Sequence, residues 1–466
     1  MALRRLLYHG ALYGLTAALS RFLNWALTPL YAHRLPVEDF GRLSELYSWM
    51  VFGLIAAGAG METAYFRFRQ KEGDFWRFLG LTMGVGAGLA SVCALLVPWL
   101  AGPLGYAHQP ELLWLTIAIW TVDAWGNFTL AHLRAIGRPL AYMTIHLTHI
   151  GLFIALNLYG VGFKGYGLTF ILSANLFTSS LRWVLGLWLA PPFTALRSVS
   201  SQGLAVPLRY GLLLAGMGLI GATNDVLDRV LLARYDLHET ALYGAAYKVA
   251  MALALFVQAY RQAGEPLLLG THRAEIPFYR RSWLLYHAVG LCGVFLLSLW
   301  AKPLVSTTWG GILPAPLFPP AYHEALAVVP ILLWANLLTG SLIQASVWYK
   351  LSTLPTVGVG ITALGSLITW AGNLYGIPRW GYHASAWTTL LAYAAMVGLS
   401  LSLGRRKWAQ AFPIFPLLPL VGLALLAPLG DSLSLGPKVF LSLVGVGGFA
   451  LYGYLHLRGQ ATPQSA

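Results

Sequence analysis

The sequence predicts an all-α integral membrane protein of about fourteen transmembrane helices. They form two parallel six-helix lobes around a central cavity, with two extra helices at the C-terminal end. Three observations carry this. Hydrophobic residues make up 58% of the 466 residues, against roughly 45–50% in soluble globular chains. Apolar runs of about 18 residues or more, long enough to cross a hydrocarbon core of roughly 30 Å, recur from end to end. A weak internal repeat with an offset of about 200 residues, many times a helical or heptad period, places similar segments at the head of the first and seventh spans.

The expected spans run in order from 6–32, which follows Arg4 and Arg5. This stretch is too long for a signal peptide, carries Arg21 and lacks a persuasive cleavage site, so it reads as a retained first helix. Next come 44–64, ending in Gly60-Met-Glu-Thr-Ala-Tyr-Phe-Arg67, then 76–101, and 111–132 with Asp123 near its middle. The fifth, 139–159, carries His146 and His149 on one face, and the sixth, 165–190, carries Arg182. The segment 191–207, with three serines and Gly203, reads as a hinge. Spans 208–233, 241–264, 282–306, 323–348, 355–375 and 380–403 form the second set, and 413–429 and 437–457 fall outside the repeat. The expected domains are therefore a lobe at 1–190, a cytoplasmic linker at 191–207, a lobe at 208–403 and the added pair within 404–466.

Lysine and arginine fix the orientation. Arg67, Arg69, Lys71 and Arg77, then Arg134 and Arg138, then Arg405, Arg406 and Lys407 fall in connections on the side of the N-terminus. The opposite connections are poorer in them, which puts both termini in the cytoplasm. The outer connections are short. The longest, Thr307–Tyr322, is rich in Pro and Gly and holds no cluster of acids or histidines, which argues against an enzyme. The net charge of +14 is scattered along the membrane map, so it points to lipid head groups or an anionic substrate rather than nucleic acid. Cys93 and Cys292 lie in separate spans, and no disulfide, metal site or cofactor is expected.

In the repeat, His9–Arg34 matches Tyr210–Tyr235 and Phe40–Met50 matches Ala241–Met251. In that register Asn24 falls on Asp225 and Thr28 on Arg229. Six spans precede the second copy, so both copies start from the same side and the repeat is parallel.

Arg21, Asp225, Asp228, Arg229 and Lys248 sit inside apolar spans of a chain only 10% charged. A charge near the bilayer centre costs roughly 2.5–3.5 kcal/mol on insertion scales. Such residues line a cavity or pair with one another. Arg21, Asn24 and Thr28 share one helical face. Asp225 and Arg229 are spaced to staple their own helix, and Asp228 is within reach of Arg234. Arg21 and Lys248 have no acid at i±3 or i±4, which favours a cavity role with Asn24 and Asp225 beside them. Glu62 either pairs with Arg67 as a gate contact or caps its helix. Asp123 either serves a coupling proton or sodium ion or bonds Asn127, and Arg182 is expected to snorkel to head groups. The two histidines alone make a poor metal site.

Ala11-Leu-Tyr-Gly-Leu15, Arg21-Phe-Leu-Asn-Trp-Ala-Leu-Thr-Pro-Leu-Tyr31 and Val37-Glu-Asp-Phe-Gly-Arg-Leu-Ser44 resemble the opening of bacterial polysaccharide exporters. So do Gly60–Arg67, Asp225-Val-Leu-Asp-Arg-Val-Leu-Leu232 and Leu242-Tyr-Gly-Ala-Ala-Tyr-Lys248. These are similar to the O-antigen and teichoic-acid type flippases of the multidrug/oligosaccharidyl-lipid/polysaccharide exporter superfamily. The resemblance implies a V-shaped cavity, alternating access and movement of an undecaprenyl-pyrophosphate-linked oligosaccharide across the bacterial cytoplasmic membrane for lipopolysaccharide or other cell-envelope glycans. It implies pyrophosphate binding by Arg21 and Lys248, tuning or gating by Asp225, Asp228 and Arg229, and accommodation of the polyprenyl tail by the last two spans. The implied partners are the lipid-linked oligosaccharide, membrane lipids, a glycan polymerase and glycosyltransferases, with the chain itself a monomer. Two other functions stay open: a proton- or sodium-coupled drug antiporter of the same superfamily, and a membrane glycan polymerase or ligase.

Overall fold

The computed structural model describes residues 25–458 except 72, 192–202, 270–275, 309–314, 352–354, 405–407 and 409, together with positions 16, 19 and 22. Among the described residues ten helices are long and apolar enough to cross a membrane, and the chain is a multi-pass helical membrane protein. One of the ten covers two expected spans at once. The span at 413–429 is a shorter apolar helix, Phe415–Gly430. The chain divides into two compact units, Met1–Ala241 and Leu242–Ala466.

The first unit contains α1 (Thr28–Arg34), α2 (Val37–Gly58), α3 (Met61–Phe68), α4 (Asp74–Leu100) and α5 (Glu111–Ala135). It continues through α6 (Pro139–Asn157), a π-turn at Leu158–Phe163, α7 (Leu168–Trp188) and α8 (Ala205–Leu232). Pro29 sits in the first turn of α1, where its missing N–H leaves no intrahelical bond unmade. Between α2 and α3 the chain turns through Ala59 (φ 47°) and Gly60 (φ 64°). Left-handed backbone stops α2, and glycine adopts it without a Cβ penalty. Asp74 starts α4 by accepting the backbone N–H groups of Gln70 and Lys71 at 2.7 and 3.0 Å. Helix α5, outside the ten, packs against α2, α4 and α7. Most of its second half is buried, from Phe128 to Leu133.

The division falls after α8, one helix later than the repeat boundary expected at 191–207. The contacts explain where α8 sits. A Cβ added at Gly60 would meet the Gly211 carbonyl oxygen at 2.2 Å, and one added at Gly211 would meet the Ala59 carbonyl oxygen at 2.4 Å. Backbone lies on backbone there, and only paired glycines permit it.

The second unit contains α9 (Leu237–Leu268), α10 (Ile276–Ser306), a 3-10 segment at Pro320–Val328, α11 (Val329–Ala345) and α12 (Val347–Leu351). After these come α13 (Pro355–Leu403), α14 (Leu418–Leu426) and α15 (Leu435–Arg458). The first turn of α9 belongs to the first unit. Tyr286 and His287 of α10 tie to α11 by a bond to the Leu337 carbonyl and a bond to Ser341 Oγ, both 2.8 Å. The last two helices pack on α10: Trp300 donates to Ser442 Oγ of α15 at 2.8 Å, and Trp283 to the carbonyl of Pro413, ahead of α14, at 3.0 Å.

A straight helix of the 49 residues in α13 would be roughly 70 Å long, more than twice a hydrocarbon core. It is not straight. Gly381 has φ 54° and ψ −138°, and the two arms fold back on each other. Gly372 lies against Thr388 and Gly376 against Ala384, while Ser385 donates to Asn373 Oδ1 at 2.8 Å. The arms match the eleventh and twelfth expected spans. The backbone at Gly381 is essentially open to glycine alone and costs other residues about 1–3 kcal/mol. Gly381→Ala is therefore expected to lower the melting temperature of the detergent-purified protein by several degrees, while Gly398→Ala, a substitution into open space, leaves it near wild type. Equal melting curves for the two variants would remove the hairpin.

Candidate functional site

Arg21 and Asn24 lie outside the described residues. Their repeat counterparts on α8 can be placed. Asp225 is exposed, whereas Asn224 and Asp228 are buried. Arg229 does not form the expected carboxylate staple with Asp225. Its Nη2 donates to the Asp225 carbonyl, and its Nε lies 3.5 Å from Asp228 Oδ1. The same oxygen accepts the Arg229 backbone N–H at 2.8 Å. Adjacent residues on a helix diverge by about 100°, so the pair closes only because a long guanidinium arm curls back. Asp228 does not reach out to Arg234 as expected, because Arg234 is taken by Glu45.

That second pair is the feature sequence reasoning missed. Glu45 of α2 is 2% exposed and holds a salt bridge to Arg234, just past the end of α8. Tyr106 donates to its other oxygen at 2.8 Å and Trp49 to the first at 3.2 Å. Burial and the neighbouring Glu45 charge push the Tyr106 hydroxyl well above its usual pKa, so it stays a donor. Nearby, a Cβ at Gly41 would meet the Leu237 carbonyl at 2.1 Å. The C-terminal end of α8 is thus tied to α2 by charge, and its N-terminal part by the Gly60–Gly211 contact. The available signal was an acid just inside an apolar span.

Glu62 pairs with Arg134 of α5, where the sequence left open a pairing with Arg67 or a helix cap. Arg67 instead stacks over Tyr210 of α8, its guanidinium carbon 4.7 Å from the ring centroid. The reason is geometric. Both Glu62 and Arg67 are on the eight-residue α3, and five residues of helix turn them to different sides. The Glu62–Arg134 pair is substantially exposed, with side chains 41% and 34% accessible, so it contributes about 0–1 kcal/mol. Beside it lies a cavity of about 270 Å³ bounded by Ile55, Glu62, Thr63, Thr82, Asn127 and Ala215 among others. Sites for drug-sized ligands start at roughly 300 Å³. As it stands the cavity is too small for a glycan.

Arg182 departs from its expected place. Arg182 does not snorkel to head groups. It is buried between helices and donates to Asp123 Oδ1 at 2.7 Å. Gly126 makes room, since a Cβ there would sit 3.1 Å from Arg182 Nε. Asp123, for which the sequence left open a coupling ion or a bond to Asn127, has that guanidinium at its carboxylate. His146 and His149 of α6 feel the same Arg182 charge, and His149 Nε2 lies 3.4 Å from Ser179 Oγ. In the second unit Lys248 is half-buried on α9, the helix that also carries Tyr243, whose hydroxyl is 3.5 Å from Thr389 Oγ1 of α13.

The side-chain exposures of 6% for Arg182 and 24% for Asp123 make the pair asymmetric. Removing the acid strands a buried cation, which costs about 3–5 kcal/mol. Asp123→Asn is expected to lower thermal stability more than Arg182→Gln, and Asp123→Leu combined with Arg182→Met to recover much of the loss; melting curves of the three variants in one detergent measure this. For Glu45 and Arg234 the buried partner is the acid, 2% exposed against 27%, so the order inverts. Arg234→Gln should destabilise more than Glu45→Gln.

The fold is shared with transporters of the MOP superfamily. It matches the lipid II flippase MurJ in an inward closed conformation with a TM-score of 0.69 and 13% identity, over 96% of this chain and 99% of that one. An inward-facing multidrug resistance MATE family transporter of the superfamily matches with a TM-score of 0.65 and 14% identity, over 84% and 95%. The MATE multidrug transporter DinF-BH gives 0.62 and 16%, over 88% and 97%. These neighbours are transporters and flippases rather than enzymes. No protein-family model matches the sequence, and no curated protein matches it.

Proposed function

We propose that this chain is a flippase that moves a polyprenyl-pyrophosphate-linked oligosaccharide across the bacterial cytoplasmic membrane by alternating access, for cell-surface polysaccharide assembly. The observation that carries the reading is the fold shared with a lipid flippase over nearly the whole of both chains, joined to cationic residues within the spans. A diphosphate leaving water for a low-dielectric cavity needs fixed cations. Arg21 and Lys248, one from each repeat, are assigned that role, with Asn24 and Asp225 beside them. The lobes are the repeats at 1–190 and 208–403, and the helices of 404–466 accompany the polyprenyl tail. A glycan polymerase and glycosyltransferases would supply and consume the cargo. The chain acts as a monomer.

Gating is assigned to contacts that can break. Glu62–Arg134 is weak and partly solvated, and Arg67 on Tyr210 joins α3 to α8 through a cation–π contact worth about 0.5–1 kcal/mol at an exposed site. Asp228 and Arg229 set the local charge on α8. The alternative reading, a proton- or sodium-coupled drug antiporter, would use Asp225 or Asp123. The observation against Asp123 is the Arg182 guanidinium already at its carboxylate, which supplies the cation a coupling ion would otherwise bring.

The test is export of surface glycan by cells that depend on this chain. Arg21→Ala and Lys248→Ala are each expected to reduce export at least tenfold at normal membrane abundance, with Lys248→Arg retaining more than Lys248→Ala. Full export by both alanine variants would sink the diphosphate role. Drug resistance that follows Asp123 and ignores Arg21 and Lys248 would favour the antiporter.

A further inference from the structure

Near the turn of the α13 hairpin, the two arms frame a cleft of about 720 Å³ lined chiefly by Tyr375, Trp380, His383, Trp387 and Leu391. Its back is closed by the tight approach of the arms at Gly372–Thr388 and Gly376–Ala384. Its front is open. Tyr375, Trp380, Trp387 and Leu391 are 61%, 60%, 53% and 57% exposed, within a segment apolar enough to span a membrane. Rings of this kind belong at the level where acyl chains meet head groups.

Arg379 supplies the second, independent element. Its guanidinium carbon lies 3.8 Å from the centroid of the Tyr375 ring, and its Nη1 donates to the Tyr375 carbonyl at 2.6 Å. The side chain is therefore pinned on Tyr375, one of the residues that line the cleft, rather than loose in solvent. A guanidinium has five N–H donors in a planar fork matched to phosphate, and the Tyr375 carbonyl takes one of them. None of the lining residues is acidic, so nothing in the wall repels an anion. His383 and Thr388 add polar groups suited to a glycerol or ester region.

We infer that this cleft is a binding site for an anionic phospholipid, with one acyl chain lying along the Trp387–Leu391 wall and its phosphate held by Arg379. The volume lies within the range of ligand sites, and the combination of apolar groove and fixed cation selects a charged lipid over a neutral one. The site stands apart from the transport reading, since it uses none of the residues assigned to the cargo.

Native mass spectrometry of the full chain titrated with dioleoylphosphatidylglycerol or dioleoylphosphatidylcholine tests this. The wild type is expected to retain one phosphatidylglycerol in preference to phosphatidylcholine. Arg379→Gln should weaken phosphatidylglycerol about tenfold and abolish the preference, Arg379→Lys should keep part of it, and Trp387→Ala should weaken both lipids. Arg379 is exposed, so the melting temperature of Arg379→Gln should stay at the wild-type value. Unchanged phosphatidylglycerol binding in Arg379→Gln overturns the proposal. So does a dimer that Trp387→Ala dissolves, which would make the face an interface between copies. Polyprenyl phosphate displacing phosphatidylglycerol at a tenth of its concentration would instead make the cleft a site for the cargo's tail, and would also overturn it.

Discussion

The constraint on which this architecture depends is that a charge placed among apolar helices must find its opposite within the protein. Water is not there to do it, and an unmatched ion in a low-dielectric interior costs several kcal/mol even after relaxation. The first unit meets this constraint by pairing across helices. Asp123 on α5 meets Arg182 on α7 at 2.7 Å, Glu62 on α3 meets Arg134 on α5, and Glu45 on α2 meets Arg234 at the end of α8. Each pair joins elements that hydrophobic packing alone would leave free to slide, because lipid is as apolar as the helix surfaces it competes with. Glycine does the complementary work. Gly126 admits the Arg182 guanidinium, and Gly60 with Gly211 brings two backbones into contact.

The three pairs differ in how firmly they hold, and burial decides this. Asp123–Arg182 lies deep, with the cation almost fully enclosed. It behaves as a structural weld, and breaking it would be expensive. Glu62–Arg134 is exposed enough to exchange for water with little loss. Glu45–Arg234 is intermediate: its acid is enclosed and shared with Tyr106 and Trp49, while its cation keeps partial access to solvent. A hierarchy of this kind lets a bundle change shape at its edges while its centre stays fixed.

Hydropathy and length alone made the helices legible. The spans expected at 355–375 and 380–403 correspond to the arms of α13, although the backbone runs helical almost without interruption through them. What hydropathy could not show was pairing. Asp123 and Arg182 are 59 residues apart and Glu45 and Arg234 are 189 apart, so no local spacing rule joins them. Helical spacing led instead to Asp225–Arg229 and Asp123–Asn127, and in each case a residue from another helix, or the neighbouring backbone, offered the better partner. The i, i+4 rule describes an isolated helix in water. In a packed membrane bundle a partner across a helix interface is more enclosed, and the interaction is correspondingly stronger.

The position of α8 follows from the same reasoning and bears on how the chain could move. By sequence repeat it opens the second half, yet it packs on α2 and α3. Its two attachments are chemically unlike. At the N-terminal part, glycine backbones touch, an interaction that is short-ranged and vanishes after a shift of an ångström or two. At the C-terminal end, a charge pair and a bonded tyrosine hold Glu45, and electrostatic attraction falls off only slowly with distance. A helix tethered in this way pivots about its ionic end when it leaves its neighbour at all. The glycine contact is then the part that opens, and Arg67 stacked on Tyr210 lies at that same part. Rocking of α8 about the Glu45–Arg234 pair would thus expose the face of the helix that now bounds the small cavity beside Glu62, enlarging it while that pair stays closed.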